Sequence, residues 1–200
     1  FQQTAANASS ALAYPIFKTL AAQQENKRIQ AFAKGYLGKI YEQQQRYTEA
    51  TRLTREALFL SQNELALLYQ WEWQLGRIFQ AQGDLSRALA MYQLASEHLK
   101  TVRVDMLTGQ RDTRQIFQKR VKPVFFGLAD VLLQKSAQTT IDKQKAALLR
   151  EARDTLEFLK IAELQDYFQN TCLLVQQTET TQLENLSEHT VVLYPVLLPN

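Results

Sequence analysis

Three observations in the sequence predict an all-α chain built as a solenoid of antiparallel helix pairs. Helix-forming residues dominate, apolar residues recur three and four apart, and one stretch repeats itself 38 residues later. Six glycines and four prolines leave few breaks among abundant Ala, Leu, Gln, Glu, Lys and Arg, and 46% apolar content supplies a sizeable core for 200 residues. The repeat is the strongest of the three. "AFAKGYLGKIYEQQQRYTEATRLTREAL" from Ala31 superimposes on "YQWEWQLGRIFQAQGDLSRALAMYQLAS" from Tyr69, with Leu37-Gly38 on Leu75-Gly76, Tyr41 on Phe79, Tyr47 on Leu85, Ala50 on Ala88 and Ala57 on Ala95.

The elements follow in order. Residues 1–30 read as part of an upstream unit, since "YPIFKTLAAQQEN" lies one period before a second helix. Residues 31–68 form one unit, two amphipathic helices joined by the turn "QQQR". Residues 69–106 form the next, with the turn "QGD" and an extended second helix ending near Met106. Gly38, Gly76, Ala50 and Ala88 remove bulk where the two helices of a unit cross. Residues 107–175 read as degenerate helices of the same type, after a break at Gly109. Phe125, Leu128, Ala129 and Leu132 take first-helix positions, "SAQTTIDKQ" forms a long polar loop, and a second helix sets Leu149 and Ala152 where Leu85 and Ala88 stand. An acidic polar linker over 176–190 precedes the apolar, β-branched "VVLYPVLLPN" of 191–200, which the pattern predicts to be extended.

Large residue, Leu-Gly, aromatic, then Ala, aromatic and Ala at fixed steps is a pattern that resembles the tetratricopeptide repeat, and Leu75, Gly76, Phe79, Ala88, Tyr92 and Ala95 carry it best. The chain departs from the family at its tryptophan position, where Glu72 stands, and at Thr54, where an aromatic is usual. The resemblance implies a right-handed solenoid that binds a protein or peptide on its concave face. There the family's ligand-facing steps fall on Gly35, Lys39 and Glu42 and on Trp73, Arg77 and Gln80. Helical spacing agrees, because Trp73, Arg77 and Gln80 share a face apart from Leu75 and Phe79. Lys39, Glu42, Trp73, Arg77 and Gln80 are therefore the candidate peptide-binding residues: an aromatic with two cations suits an acidic peptide, the alternative being that Trp73 packs under a neighbouring repeat and the cations only solubilise the surface.

The second half, with "IFQKRVKPVFFGLADVLLQ", "EARDTLEFLKIAELQDYFQNTCL" and "HTVVLYPVLLPN", resembles the region that precedes the caspase-like domain of bacterial CHAT proteins. That resemblance implies that 191–200 is the first strand of such a domain, with a catalytic His and Cys further along the chain. The domain itself would then be an intramolecular partner.

Within these 200 residues no catalytic group is expected. Cys172 has no neighbouring histidine to activate it, His98 is read as complementing helix-terminal carbonyls, and His189 leads into the apolar end. One Cys and two distant His give no metal-ligand spacing, and no phosphate loop or other cofactor motif is present, so neither metal nor cofactor is expected. Glu49 and Glu56 read as solvated carboxylates on exposed faces. The longest apolar run is far short of the roughly 20 residues that span a bilayer, and the first residues lack a signal-peptide pattern, so no membrane partner and a cytoplasmic location are expected.

Charge is uneven although the net value is only +3. Residues 100–122 carry seven Lys/Arg against two Asp, and residues 161–200 carry five acids and no base. Arg111, Arg114, Lys119 and Arg120 raise nucleic acid as a partner, but Phe117 is the lone aromatic among them. Stacking on single strands therefore lacks its platform, and a solvated face, or a surface that docks either the acidic C-terminal segment or the further domain, suits the block better. A self-associating structural array, and so a homo-oligomer, is the remaining alternative to a peptide-binding scaffold.

Overall fold

The computed structural model describes residues 13–22, 26–107, 115 and 117–168, and the described residues are helical with no strand among them. α1 covers 13–22, α2 Lys27–Gln43, α3 Tyr47–Leu60, α4 Leu65–Ala81 and α5 Leu85–Leu107. A single π-helical turn, Phe117–Val121, leads into α6, Lys122–Gln138, and α7 is Asp142–Phe168. Each helix packs against its chain neighbours: α2 with α3, α3 with α4, α4 with α5, α5 with α6 and α6 with α7. Three hairpins, α2/α3, α4/α5 and α6/α7, thus stack in chain order.

The 38-residue period seen in the sequence sets the helix ends. Lys27 and Gln43 fall one period before Leu65 and Ala81, and Tyr47 one period before Leu85. The turns repeat too. Gln45 N–H donates to Glu42 O at 2.9 Å and Arg46 N–H to Tyr41 O at 2.9 Å, and one period on, Gly83 donates to Gln80 O and Asp84 to Phe79 O at the same distances. Closing a helix with this pair of bonds needs a left-handed residue. It is Gly83 at φ 78° in the second turn and Gln45 at φ 60° in the first. α2 begins at Lys27, four residues before the first matched residue Ala31. Asn26 caps it, accepting from Arg28 N–H at 3.0 Å and Ile29 N–H at 3.2 Å.

The small residues lie where helices touch. Ala50, Ala57, Ala88 and Ala95 are fully buried, and a Cβ on Gly38 would meet Thr54 Oγ1 at 2.6 Å and Ala50 O at 3.3 Å. A Cβ added to Gly76 would meet the Tyr92 ring at 2.9 Å, and one added to Gly127 of α6 would meet the same ring at 2.3 Å. Tyr92 joins Leu75, Phe79, Leu128, Leu132 and Ala152 in one core cluster, and Phe117, Val121, Val124 and Phe125 join Tyr69 and Leu99 in the other.

The π turn follows from Pro123. Proline has no N–H to give the carbonyl four residues back, so an α-helical ladder cannot run through it. The wider turn before it brings Phe117 and Val121 into the core together with Val124 and Phe125.

In the third hairpin the expected long loop is corrected. "SAQTTIDKQ" is mostly helix: α6 runs to Gln138, only Thr139–Ile141 connect, and α7 starts at Asp142. The reason is propensity and charge, since Lys, Gln and Ala follow an Asp placed at the positive end of the helix. Leu149 is consequently 42% exposed on α7 and does not repeat the buried Leu85, while Ala152 does take the place of Ala88 at 2%. The expected break at Gly109, Arg111, Arg114, Cys172, the acidic linker, His189 and the segment 191–200 expected to be extended all lie outside the described residues.

Candidate functional site: a groove along the first helices

A groove of about 1040 Å³ runs along the first helices of the hairpins. α2 contributes Tyr36, Lys39 and Glu42 and α4 contributes Tyr69, Trp73, Arg77 and Gln80, while Lys119 and Arg120 of the π turn also line it. Every candidate binding residue read from the sequence, Lys39, Glu42, Trp73, Arg77 and Gln80, is among the lining residues. Gly35 is not. Its Cα is covered by the Trp71 indole, which a Cβ there would meet at 2.3 Å, so Gly35 serves the packing of α2 on α4.

The groove residues make contacts with one another that the sequence did not reveal. Arg77 grips Glu42 with two parallel bonds, Nε to Oε1 at 2.8 Å and Nη2 to Oε2 at 2.9 Å, and its guanidinium lies 4.3 Å over the Trp73 ring. Bidentate pairing and stacking both hold this arginine in place, joining the first hairpin to the second. Its charge is therefore largely taken up. Gln80 is engaged as well: its Nε2 donates to Asp130 Oδ2 at 2.7 Å and its Oε1 accepts from the Tyr92 hydroxyl at 3.0 Å. Trp73 is half-buried and packs on both core clusters. Only Lys39, among the five, is exposed with no partner among the described residues.

Two donors at the groove lack acceptors among the described residues. The Tyr69 hydroxyl and Arg77 Nη1 are covered and unpaired. Tyr69 is 1% exposed, and burial pushes its phenol up to about 12, opposed by the nearby charge of Arg120. An unpaired buried donor costs roughly 1–3 kcal/mol, so an arriving acceptor has something to gain here.

Other charged residues are placed differently from the sequence reading. His98 lies inside α5, well short of its end, and its Nδ1 meets Glu72 Oε2 at 2.8 Å. It therefore does not complement terminal carbonyls. Glu72 is 4% exposed, and burial raises its carboxyl above the ordinary value while His98 pulls the other way. Glu49 and Glu56 are paired and not merely solvated: Glu49 with Arg46, Glu56 with Lys34 and Arg52. Among the described residues, no cluster of three or more His, Cys, Asp or Glu could hold a metal, and no helix is long and apolar enough to cross a membrane.

Some of what sequence reasoning missed had a signal. In stacked hairpins, opposite charges three residues short of one period fall on neighbouring first helices, and Glu42 and Arg77 stand 35 apart. Tyr36 and Tyr69 are aromatics on the faces that carry Lys39 and Trp73. Comparison of the chain with known protein families, with curated proteins and with solved structures finds no match.

Proposed function

We propose that the chain is a protein-binding scaffold, a right-handed solenoid of the tetratricopeptide type that holds a peptide or protein segment along its first helices. The observation that carries this reading is the groove itself. It combines the Trp73 and Tyr36 rings with exposed Lys39, and it collects residues from α2, α4 and the π turn on one face. Aromatics beside cations hold extended acidic chains well. The 38-residue recurrence of helix ends and turns supports the repeat type, and the resemblance of "EARDTLEFLKIAELQDYFQNTCL" supports placing the chain in a CHAT-type protein, as its regulatory, non-catalytic region.

Trp73 and Arg77 also hold the hairpins together, so their loss would confuse binding with folding. Lys39→Glu avoids this, because Lys39 is exposed and unpaired. Peptides selected on the chain from a random twelve-residue display library should lose at least tenfold in affinity for Lys39→Glu, measured by fluorescence anisotropy, with an unchanged circular dichroism spectrum. Equal affinity for both chains would overturn the groove reading.

A further inference from the structure

We infer that the π-turn end of the groove is a carboxylate-binding subsite, and that its occupant is this chain's own acidic segment carrying Glu179, Glu184 and Glu188. The inference rests on the groove being a binding surface and adds what regulates it. Charge is the first argument. Four cations and one acid line the groove, and the acid, Glu42, is held by Arg77. Lys39, Lys119 and Arg120 are left facing solvent, the last two side by side on the π turn. Among the described residues Lys119 has a neutral partner, Gln115 Oε1 at 3.2 Å.

Unsatisfied donors are the second argument, and they point to an acceptor. The Tyr69 hydroxyl, on a side chain 1% exposed, and Arg77 Nη1 both lie at this groove without partners, and Arg120 is close enough to bias the Tyr69 phenol. A carboxylate accepts from a phenol and from a guanidinium at once, and unlike an amide oxygen it also brings the negative charge that the cations here leave unanswered.

Position is the third. α7 comes alongside the π turn: Glu163 Oε1 accepts from Gln118 Nε2 at 3.0 Å and from Lys122 Nζ at 3.4 Å, flanking Lys119 and Arg120 on both sides in sequence. Arg103 of α5 ties down the same end through Gln165 Oε1 at 2.7 Å. From Glu163 the helix runs on for about 7 Å to Phe168. The eleven residues from there to Glu179 can span up to about 36 Å. The stretch from 169 to 200 holds three acids and no Lys or Arg, so nothing in it repels the groove's cations. Docked there, the segment would compete with an external acidic peptide, and a partner would have to displace it.

The test uses the full chain and a fluorescein-labelled synthetic peptide of residues 176–190, titrated by anisotropy. The chain with Glu179→Gln, Glu184→Gln and Glu188→Gln should bind the peptide at least tenfold more tightly than the unaltered chain, because its own segment no longer competes. Adding Lys119→Glu and Arg120→Glu should abolish that binding; both side chains are exposed, and circular dichroism confirms the fold. Equal affinity for the unaltered and the triple-Gln chain overturns the proposal, as does binding that survives the charge reversals or an absence of binding throughout. The groove reading is judged separately by the Lys39→Glu measurement with library peptides, so it can stand when this inference falls.

Discussion

The seams on either side of the second hairpin share one backbone frame and are filled on opposite plans. Between α2 and α4 the filler belongs to the later hairpin: Trp71 lies on Gly35, edge-on to Phe32 and Tyr36, with its Nε1 donating to Ser61 Oγ at 3.2 Å. Polar groups are sealed in beside it. Gln74 Nε2 donates to Thr54 Oγ1 at 2.7 Å and to Gly35 O at 3.1 Å, and Thr54 donates to Ala50 O at 2.7 Å. Between α4 and α6 the filler belongs to the earlier hairpin: Tyr92 is caught between Gly76 and Gly127. The period therefore dictates helix ends and turns, while each seam finds its own aromatic and its own glycine. Repeat proteins tolerate this because each unit touches only its neighbours.

The largest effect should come from Gly127→Ala. The new Cβ would stand 2.3 Å from the Tyr92 ring, which also packs closely on Gly76 and which Gln80 tethers through the hydroxyl, so the ring has little room to move away. Urea unfolding should show a loss of about 3 kcal/mol, at the upper end for overpacking. Tyr92→Leu in the same chain should recover part of it. The same Tyr92→Leu should leave the cost of Gly35→Ala untouched, since that clash is with Trp71. Coupling of Tyr92 to Gly35 would mean that the two seams are not independent.

Next in size is the clasp that crosses the first seam on its groove side. Glu42 and Arg77 are only 15% and 29% exposed, so their bidentate pair is poorly screened. A double-mutant cycle with Glu42→Gln and Arg77→Met should give a coupling of about 1.5 kcal/mol, well above an exposed pair. A coupling near zero would show the pair to be a surface contact. Across the second seam Gln80 Nε2 donates a hydrogen bond to Asp130 Oδ2 at 2.7 Å.

The turns offer a smaller and cleaner comparison, because the same bonds close both. Gln45 adopts φ 60° where Gly83 adopts 78°, and only the glycine does so without a Cβ in the way. Gln45→Gly should raise the unfolding free energy by roughly 1 kcal/mol, and Gly83→Ala should lower it by about as much. Nothing lies within 4 Å of a Cβ at Gly83, so the loss there would be conformational and not steric.

These contrasts mark what a reader of the sequence can and cannot see. Helix ends, turns and the Gly38 crossing follow from local pattern, which recurs whenever the local pattern does. The groove faces of α2 and α4 follow too, since helical spacing alone puts Trp73, Arg77 and Gln80 together. What each of those side chains touches depends on residues in another hairpin: Glu42 takes up Arg77, and Asp130 takes up Gln80. Gly127 gave no signal, because its role exists only when Tyr92 arrives from 35 residues away. The start of α7 was missed for a local reason, a Ser/Thr/Gln-rich stretch that reads as loop until Asp142 is recognised as a helix start.

Glu72 gives the least effect and the sharpest contrast, because it and Glu56 should respond to pH in opposite directions. Burial raises the Glu72 carboxyl above its ordinary 4.5, against the pull of His98. At Glu56, burial works the same way but Lys34 and Arg52 outweigh it, leaving that carboxyl below 4.5. A group whose pKa is raised on folding binds protons more readily in the folded chain. Its contribution is full below 4.5 and is lost as pH rises through the folded value. A group whose pKa is lowered contributes above 4.5 and loses that contribution as pH falls. Glu72→Gln cannot titrate, so its stability relative to the unaltered chain should improve as pH rises from 4 to 7, whereas that of Glu56→Gln should worsen as pH rises from about 3. Urea midpoints across that range check both. A Glu72→Gln difference that stays constant with pH would mean that the bond to His98 offsets burial in full, and that the carboxylate buried in this hairpin is as comfortable as one in water.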